Sequence, residues 1–153
     1  MKIAKEFRWE MGHRLPFHEG KCKNLHGHSY KCMVELNGNI VDGKMVLDYY
    51  DVKKVIEPII ENLDHSFIVW AGDKELIELL DKMNSKKVVV DFQSTAENLC
   101  LFLIDEIKKS NPRFSAGKNQ QKIRFSAFSK SGLANSFPGF LKRGRRGEKK
   151  ILF

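Results

Sequence analysis

His26-Gly27-His28-Ser29-Tyr30-Lys31-Cys32-Met33-Val34-Glu35-Leu36 is the stretch on which the fold turns. Tyr30, Cys32, Val34 and Leu36 share one phase of a period of two, the pattern of a half-buried β-strand. His26 and His28 stand earlier in that same phase, so both imidazoles point to the side of the sheet that is otherwise apolar. Asn37-Gly38-Asn39 follows as a turn signal.

Working toward the N-terminus, a second strand repeats the arrangement. Ile3, Phe7, Trp9 and Met11 lie on one face with His13 continuing the phase, while Ala4, Glu6, Arg8 and Glu10 lie on the other. A loop with Pro16 and Gly20 separates the two strands, so three imidazoles can converge from neighbouring strands.

Toward the C-terminus the period changes to 3.6. Asp51 is expected to cap a helix in which Val52, Val55, Ile56, Ile59, Ile60 and Leu63 form one stripe, with a kink at Pro58. A shorter helix is expected from about Asp73 to Met83, and Val88 to Val90 read as a short strand. Ser94 and Glu97 form an S-x-x-E capping pattern ahead of a helix with Ala96, Leu99, Cys100, Leu103, Ile104 and Ile107 facing inward. A last strand is expected near Lys122 to Phe128. This order predicts an α+β fold, an antiparallel sheet with helices segregated to one face.

A chain of 153 residues with 42% hydrophobic residues has the size and composition of one globular domain. It has no apolar run long enough to span a bilayer, and MKIAKEFRW has no apolar secretion core. Three scattered cysteines, Cys22, Cys32 and Cys100, argue against a disulfide scaffold and for a reducing, cytoplasmic setting. The net charge of +8 is concentrated at one end. Residues 1–123 carry 19 Lys+Arg against 18 Asp+Glu, whereas residues 124–153 carry 8 against 1. Nucleic-acid binding therefore has no support in the body of the chain, and the charge run reads as a solvated tail.

His13, His18, His26 and His28 fall within sixteen residues, with Cys22 among them. Three in-phase imidazoles, His13, His26 and His28, suit a zinc site that leaves a fourth position open; His18, in the loop, reads as a surface residue. Cys22, between Lys21 and Lys23, reads as a base or nucleophile, as a fourth zinc ligand, or as an inert surface thiol. Cys32 and Cys100, in phase with apolar faces, read as core. Asp64-His65 reads as a proton relay or as a helix end meeting solvent.

The string Cys22-Lys-Asn-Leu-His26-Gly-His28-Ser-Tyr30, with Gly12-His13-Arg14-Leu15-Pro16 before it and Leu63-Asp64-His65 and Ser94-Thr95-Ala96-Glu97-Asn98 after it, resembles the 6-pyruvoyltetrahydropterin synthase / 6-carboxytetrahydropterin synthase family over residues 1–123. The resemblance implies zinc ligation by His13, His26 and His28, Cys22 as proton acceptor, Asp64 with His65 as charge relay, and Thr95 and Glu97 near the pterin. It implies the tunnelling fold, a four-stranded antiparallel sheet with two long helices on one face plus a short inserted helix. It implies a homo-hexamer of two trimers with sites between subunits, with no membrane or nucleic-acid partner. The three residues between Cys22 and His26 resemble the 6-carboxytetrahydropterin synthases of queuosine precursor biosynthesis. That branch converts 7,8-dihydroneopterin triphosphate, releasing acetaldehyde and triphosphate; the pyruvoyl enzymes, with a longer spacer, are the alternative. One departure stands out. Family members end the last strand in a Glu-Thr pair that binds the pterin, whereas Ile123 to Lys130 here reads IRFSAFSK. The domain is accordingly expected over residues 1–128, with a divergent basic tail over 129–153 and weakened pterin binding; a zinc-binding relative with impaired pterin binding is the remaining alternative.

Overall fold

The computed structural model describes residues 1–40, 43–111 and 127–129. Strands β1 (Lys2–His13) and β2 (His26–Asn37) form a long antiparallel hairpin, and a single 3-10 turn, Lys21–Lys23, interrupts the loop between them. Helix α1 (Tyr49–Leu63) leads into β3 (Ser66–Trp70); α2 (Lys74–Lys82) leads into β4 (Lys87–Val90); α3 (Ala96–Ser110) follows. Strand β5 (Ala127–Ser129) falls at the end of the expected last strand, whose residues 122–126 lie outside the described ones.

The α+β class holds, but the sheet is mixed rather than purely antiparallel. Its strand order is β4-β3-β1-β2-β5, with β1 and β2, and β2 and β5, antiparallel, and with β3 parallel to both β1 and β4. Strands β3 and β4 are joined through a helix, and such a crossover returns the chain in the same direction, whereas a tight hairpin would reverse it. Strand β3 is the element that the periodicity missed. Ile68 packs into the main core, while Val69, on the other face, packs with Leu76 and Leu80 of α2. A strand covered on both sides has no polar phase, so SFIVW reads as an unpatterned apolar run.

Helices α1 and α3 cover the opposite side of the sheet from α2. Phe7, Trp9 and Met11 of β1, Tyr30, Cys32, Val34 and Leu36 of β2, and the α1 and α3 stripes form one core. Pro58 lies inside α1 without ending it. An interior proline costs about 3 kcal/mol. Burial of Val52, Ile56, Ile60 and Leu63 contributes roughly 1.5–3 kcal/mol each, which outweighs it. The α1 cap is Asp48, whose side chain accepts from the Tyr50 N–H at 2.8 Å, and not Asp51, which lies in the first turn. The α3 cap is Thr95 rather than Ser94, its hydroxyl accepting from the Asn98 N–H at 3.3 Å. Ser94 is thereby released for another partner.

Gly12 is where β3 docks on the hairpin. A Cβ there would stand 2.5 Å from Cε1 of Phe67, whose ring lies over the glycine. Gly12→Ala is expected to lower stability by about 1–3 kcal/mol in urea denaturation, the usual cost of forcing a packed contact apart. The same substitution placed in a Phe67→Ala background should cost less than half as much, since the obstructing ring is then gone.

Candidate metal centre

The β1–β2 register decides where the imidazoles meet. His13 pairs with His26 and Met11 with His28, so His13 and His26 face each other across the ladder and His28 is the diagonal neighbour. Ring centroids are 4.5 Å apart for His13 and His26, 5.2 Å for His13 and His28, and 4.6 Å for His26 and His28. One ligand atom from each of the three lies within 4.8 Å of the others. Tyr30 sits edge-on to His13 and His28 and stacks on Trp9 at 5.2 Å, so the centre rests on an aromatic floor.

Hydrogen bonds select the tautomer that a metal needs. His13 Nδ1 lies 3.0 Å from the Ser94 carbonyl oxygen and 3.0 Å from its hydroxyl; His26 Nδ1 lies 2.8 Å from the Asn24 carbonyl. A carbonyl only accepts, so each Nδ1 carries the proton and donates it, leaving the Nε2 lone pair free. Nε2 of His13 and Nε2 of His26 are buried without a hydrogen-bond partner. An orphaned buried nitrogen is costly unless something binds it, and two of them aimed into one three-imidazole cluster fit a divalent ion. Burial, with the neighbouring His26 and His28, pushes the His13 pKa down to about 4, and burial followed by His26 lowers that of His28. His13 is therefore neutral at physiological pH.

The remaining expected site residues fall at three places. Cys22 is half-buried in the 3-10 turn, outside the group of convergent ligand atoms; its carbonyl accepts from the Leu15 N–H at 2.8 Å. His18 stays in the loop, where its Nδ1 accepts from the Gly20 N–H. Cys32 and Cys100 are buried, as expected.

Asp64 and His65 form a dyad, His65 Nδ1 lying 2.8 Å from Asp64 Oδ2. Asp64 Oδ1 accepts from the Glu10 N–H at 2.9 Å, and the His65 N–H donates to the Glu10 carbonyl at 2.8 Å. These bonds hold His65 at φ 52°, in the left-handed region that costs a non-glycine residue roughly 1–2 kcal/mol. The Asp64 carboxyl is held below its ordinary range, first by the Glu10 N–H and then by His65. His65 borders a cleft of about 570 Å³ with Glu10, Gly12, Gly27 and Ser29, the positions that alternate with the imidazole-bearing ones along the hairpin; His26 and His28 border it too. The dyad is thus presented on the cleft side of the hairpin.

Thr95 and Glu97 stand at the start of α3, Thr95 engaged as the cap and Glu97 exposed in the first turn. Ser94, between Thr95 and the metal cluster, is the contact that pattern reading assigned to a helix cap; the adjacent Thr95 was the only hint that the cap had a second candidate.

A mixed sheet with such a centre on its first hairpin has the fold of the tetrahydropterin synthases. The 6-pyruvoyl tetrahydropterin synthase of Plasmodium falciparum aligns with a TM-score of 0.65 at 16% identity, over 84% of this chain and 90% of that one. An uncharacterized protein from Wolinella succinogenes aligns with a TM-score of 0.63 at 23% identity, over 82% and 91%. The chain belongs to the 6-pyruvoyl tetrahydropterin synthase family, whose sequence model matches residues 2–127. Among curated relatives, the 6-carboxy-5,6,7,8-tetrahydropterin synthase of Haemophilus influenzae is 39% identical over 115 residues, covering 70% of this chain and 82% of that protein. The protein of that name from Aquifex aeolicus is 38% identical over 128 residues, covering 71% and 79%. Among the described residues, no helix is long and apolar enough to cross a membrane.

Two predictions follow from the imidazole geometry. Ser94→Ala should weaken divalent-metal binding in chelator competition by about tenfold, at the low end of the usual effect of outer partners because the Ser94 carbonyl remains. In the metal-free protein, His13 is protonated more readily unfolded than folded. Its contribution to stability is present above about pH 6.5 and lost progressively toward about pH 4. Denaturation midpoints of chelated protein should fall between pH 7 and pH 5, and His13→Asn should remove about one proton from that slope.

Proposed function

We propose that this chain is a zinc-dependent lyase that converts 7,8-dihydroneopterin triphosphate to 6-carboxy-5,6,7,8-tetrahydropterin, releasing acetaldehyde and triphosphate in queuosine precursor biosynthesis. The observation that carries the reading is the cluster of His13, buried, with His26 and His28, half-buried, in which the Nε2 lone pairs of His13 and His26 are unpaired and their Nδ1 atoms are tied to carbonyls. The choice of the carboxy branch over a pyruvoyl product is supported by the three-residue spacer between Cys22 and His26 and by the names of the relatives from H. influenzae and A. aeolicus.

His13, His26 and His28 would hold the metal, which when bound supplies a Lewis acid for the substrate's side-chain oxygens. Cys22 takes the proton from the side chain: it lies in the loop joining the two ligand strands, outside the ligand group, and Lys21 and Lys23 flank it. His65 returns a proton through Nε2, its Nδ1 being engaged by Asp64, which fixes both ring orientation and tautomer. Thr95 and Glu97, at the α3 terminus next to Ser94, border the pterin.

The family resemblance supports assembly as a homo-hexamer of two trimers with the sites between subunits. Residues 1–128 form this cytoplasmic catalytic domain and residues 129–153 a basic tail without a nucleic-acid partner.

Zinc-loaded protein incubated with 7,8-dihydroneopterin triphosphate should yield acetaldehyde and the carboxy product by mass spectrometry; a pyruvoyl product would overturn the branch assignment. Cys22→Ala should keep one zinc per chain while slowing turnover by roughly a hundredfold to ten-thousandfold. Loss of zinc from that variant would make the thiol a ligand instead.

A further inference from the structure

The loop that joins the ligand strands hangs from one side chain. Arg14, the residue after His13, donates from Nε to Asp73 Oδ2 at 2.6 Å and from a terminal nitrogen to Asp73 Oδ1 at 2.5 Å. The same terminal nitrogen reaches Glu75 Oε2 at 3.1 Å, but Glu75 is 87% exposed and contributes little. Asp73 is different. It is buried, with 7% exposure, and it caps α2 by accepting from the Leu76 N–H at 3.4 Å. A two-point guanidinium–carboxylate contact fixes direction as well as distance, which a lysine cannot do.

What this contact holds is the Cys22 turn. The next residue, Leu15, is itself buried, and its N–H donates to the Cys22 carbonyl at 2.8 Å, closing the loop across its base. On the other side, the Arg14 carbonyl lies 3.5 Å from the Ser94 hydroxyl that also contacts His13. Arg14 therefore stands between the metal ligand, the base of the loop and the start of α2. Asp73 comes from a distant part of the chain, in an element that carries none of the metal ligands.

We propose that Arg14 and Asp73 are a positioning pair that anchors the Cys22 loop to the N-terminus of α2, setting where the thiol stands relative to the three-histidine centre. The pair touches neither metal nor substrate and acts through Leu15 and the backbone of the turn. A role for this positioning in turnover rests on Cys22 being the proton acceptor; the positioning itself does not.

Asp73→Asn separates the two functions of the residue, since Asn is as good a helix cap as Asp but loses the charge and the two-point contact. The readout is alkylation of the zinc-loaded protein by iodoacetamide, followed by mass spectrometry at each cysteine. Cys32 and Cys100 are 1% and 0% exposed, so labelling of the folded protein reports Cys22. Asp73→Asn is expected to speed Cys22 labelling about fivefold or more with zinc content unchanged and Cys32 and Cys100 unlabelled. Arg14→Lys, which keeps the charge but not the fork, should give an intermediate rate. Labelling of Cys22 within twofold of the unmodified protein in both variants would overturn the proposal. Labelling of all three cysteines in parallel would also overturn it, because the pair would then be holding the whole fold and not the loop. If Cys22 labels faster and turnover is unchanged, the positioning stands and the assignment of Cys22 as base fails.

Discussion

The pairing of His13 with His26 at the loop end of the β1–β2 hairpin is the constraint on which the rest of the structure depends. Side chains alternate along a strand, so a slip of one residue would send His13 to the face opposite His26 and His28 and break the cluster. The register is held from the far end by the apolar positions Phe7, Trp9, Tyr30, Cys32, Val34 and Leu36, all buried under α1 and α3. Core packing and metal geometry are therefore one requirement: the phase that buries the core is the phase that assembles the imidazoles.

Convergence alone would be unfavourable, since the neighbouring imidazoles disfavour protonation of His13 and the cluster leaves lone pairs without partners. The fold offsets this by tying two Nδ1 atoms to carbonyls. Asn24, two residues before His26, holds one; Ser94, from the far side of the chain just before α3, holds the other. The start of α3 thus touches the three-imidazole cluster while its cap, Thr95, faces the helix. Likewise Asp64 and His65, at the end of α1, are fixed by the backbone of Glu10 three residues before His13. His13, Asp64 and His65 are thus each held by an element other than their own.

Much of this could be read from the sequence, and the failures have physical causes. The two long strands, the three helices and the three-histidine group follow from periods of two and 3.6 and from phase. Strand β3 did not, because α2 on one side and the main core on the other remove its polar face; with it went the parallel pairings that make the sheet mixed. Asp51 satisfied the capping pattern three residues after the true cap, Asp48, and Ser94 one residue before the true cap, Thr95. Hydroxyl and carboxylate spacing does not show which of several candidates faces a helix end, and Ser94 proved to face an imidazole. Contacts such as Arg14 to Asp73 leave no periodic trace at all.

The central claim is that three imidazoles, and no thiolate, bind the metal, which leaves Cys22 free for proton transfer. X-ray absorption at the zinc edge measures this directly, since zinc–nitrogen distances are about 2.0–2.1 Å and zinc–sulfur about 2.3 Å. The account predicts a first shell of three imidazole nitrogens and one light oxygen scatterer, identical in Cys22→Ala. A sulfur scatterer at about 2.3 Å that disappears in Cys22→Ala would contradict it, making the centre a closed structural site.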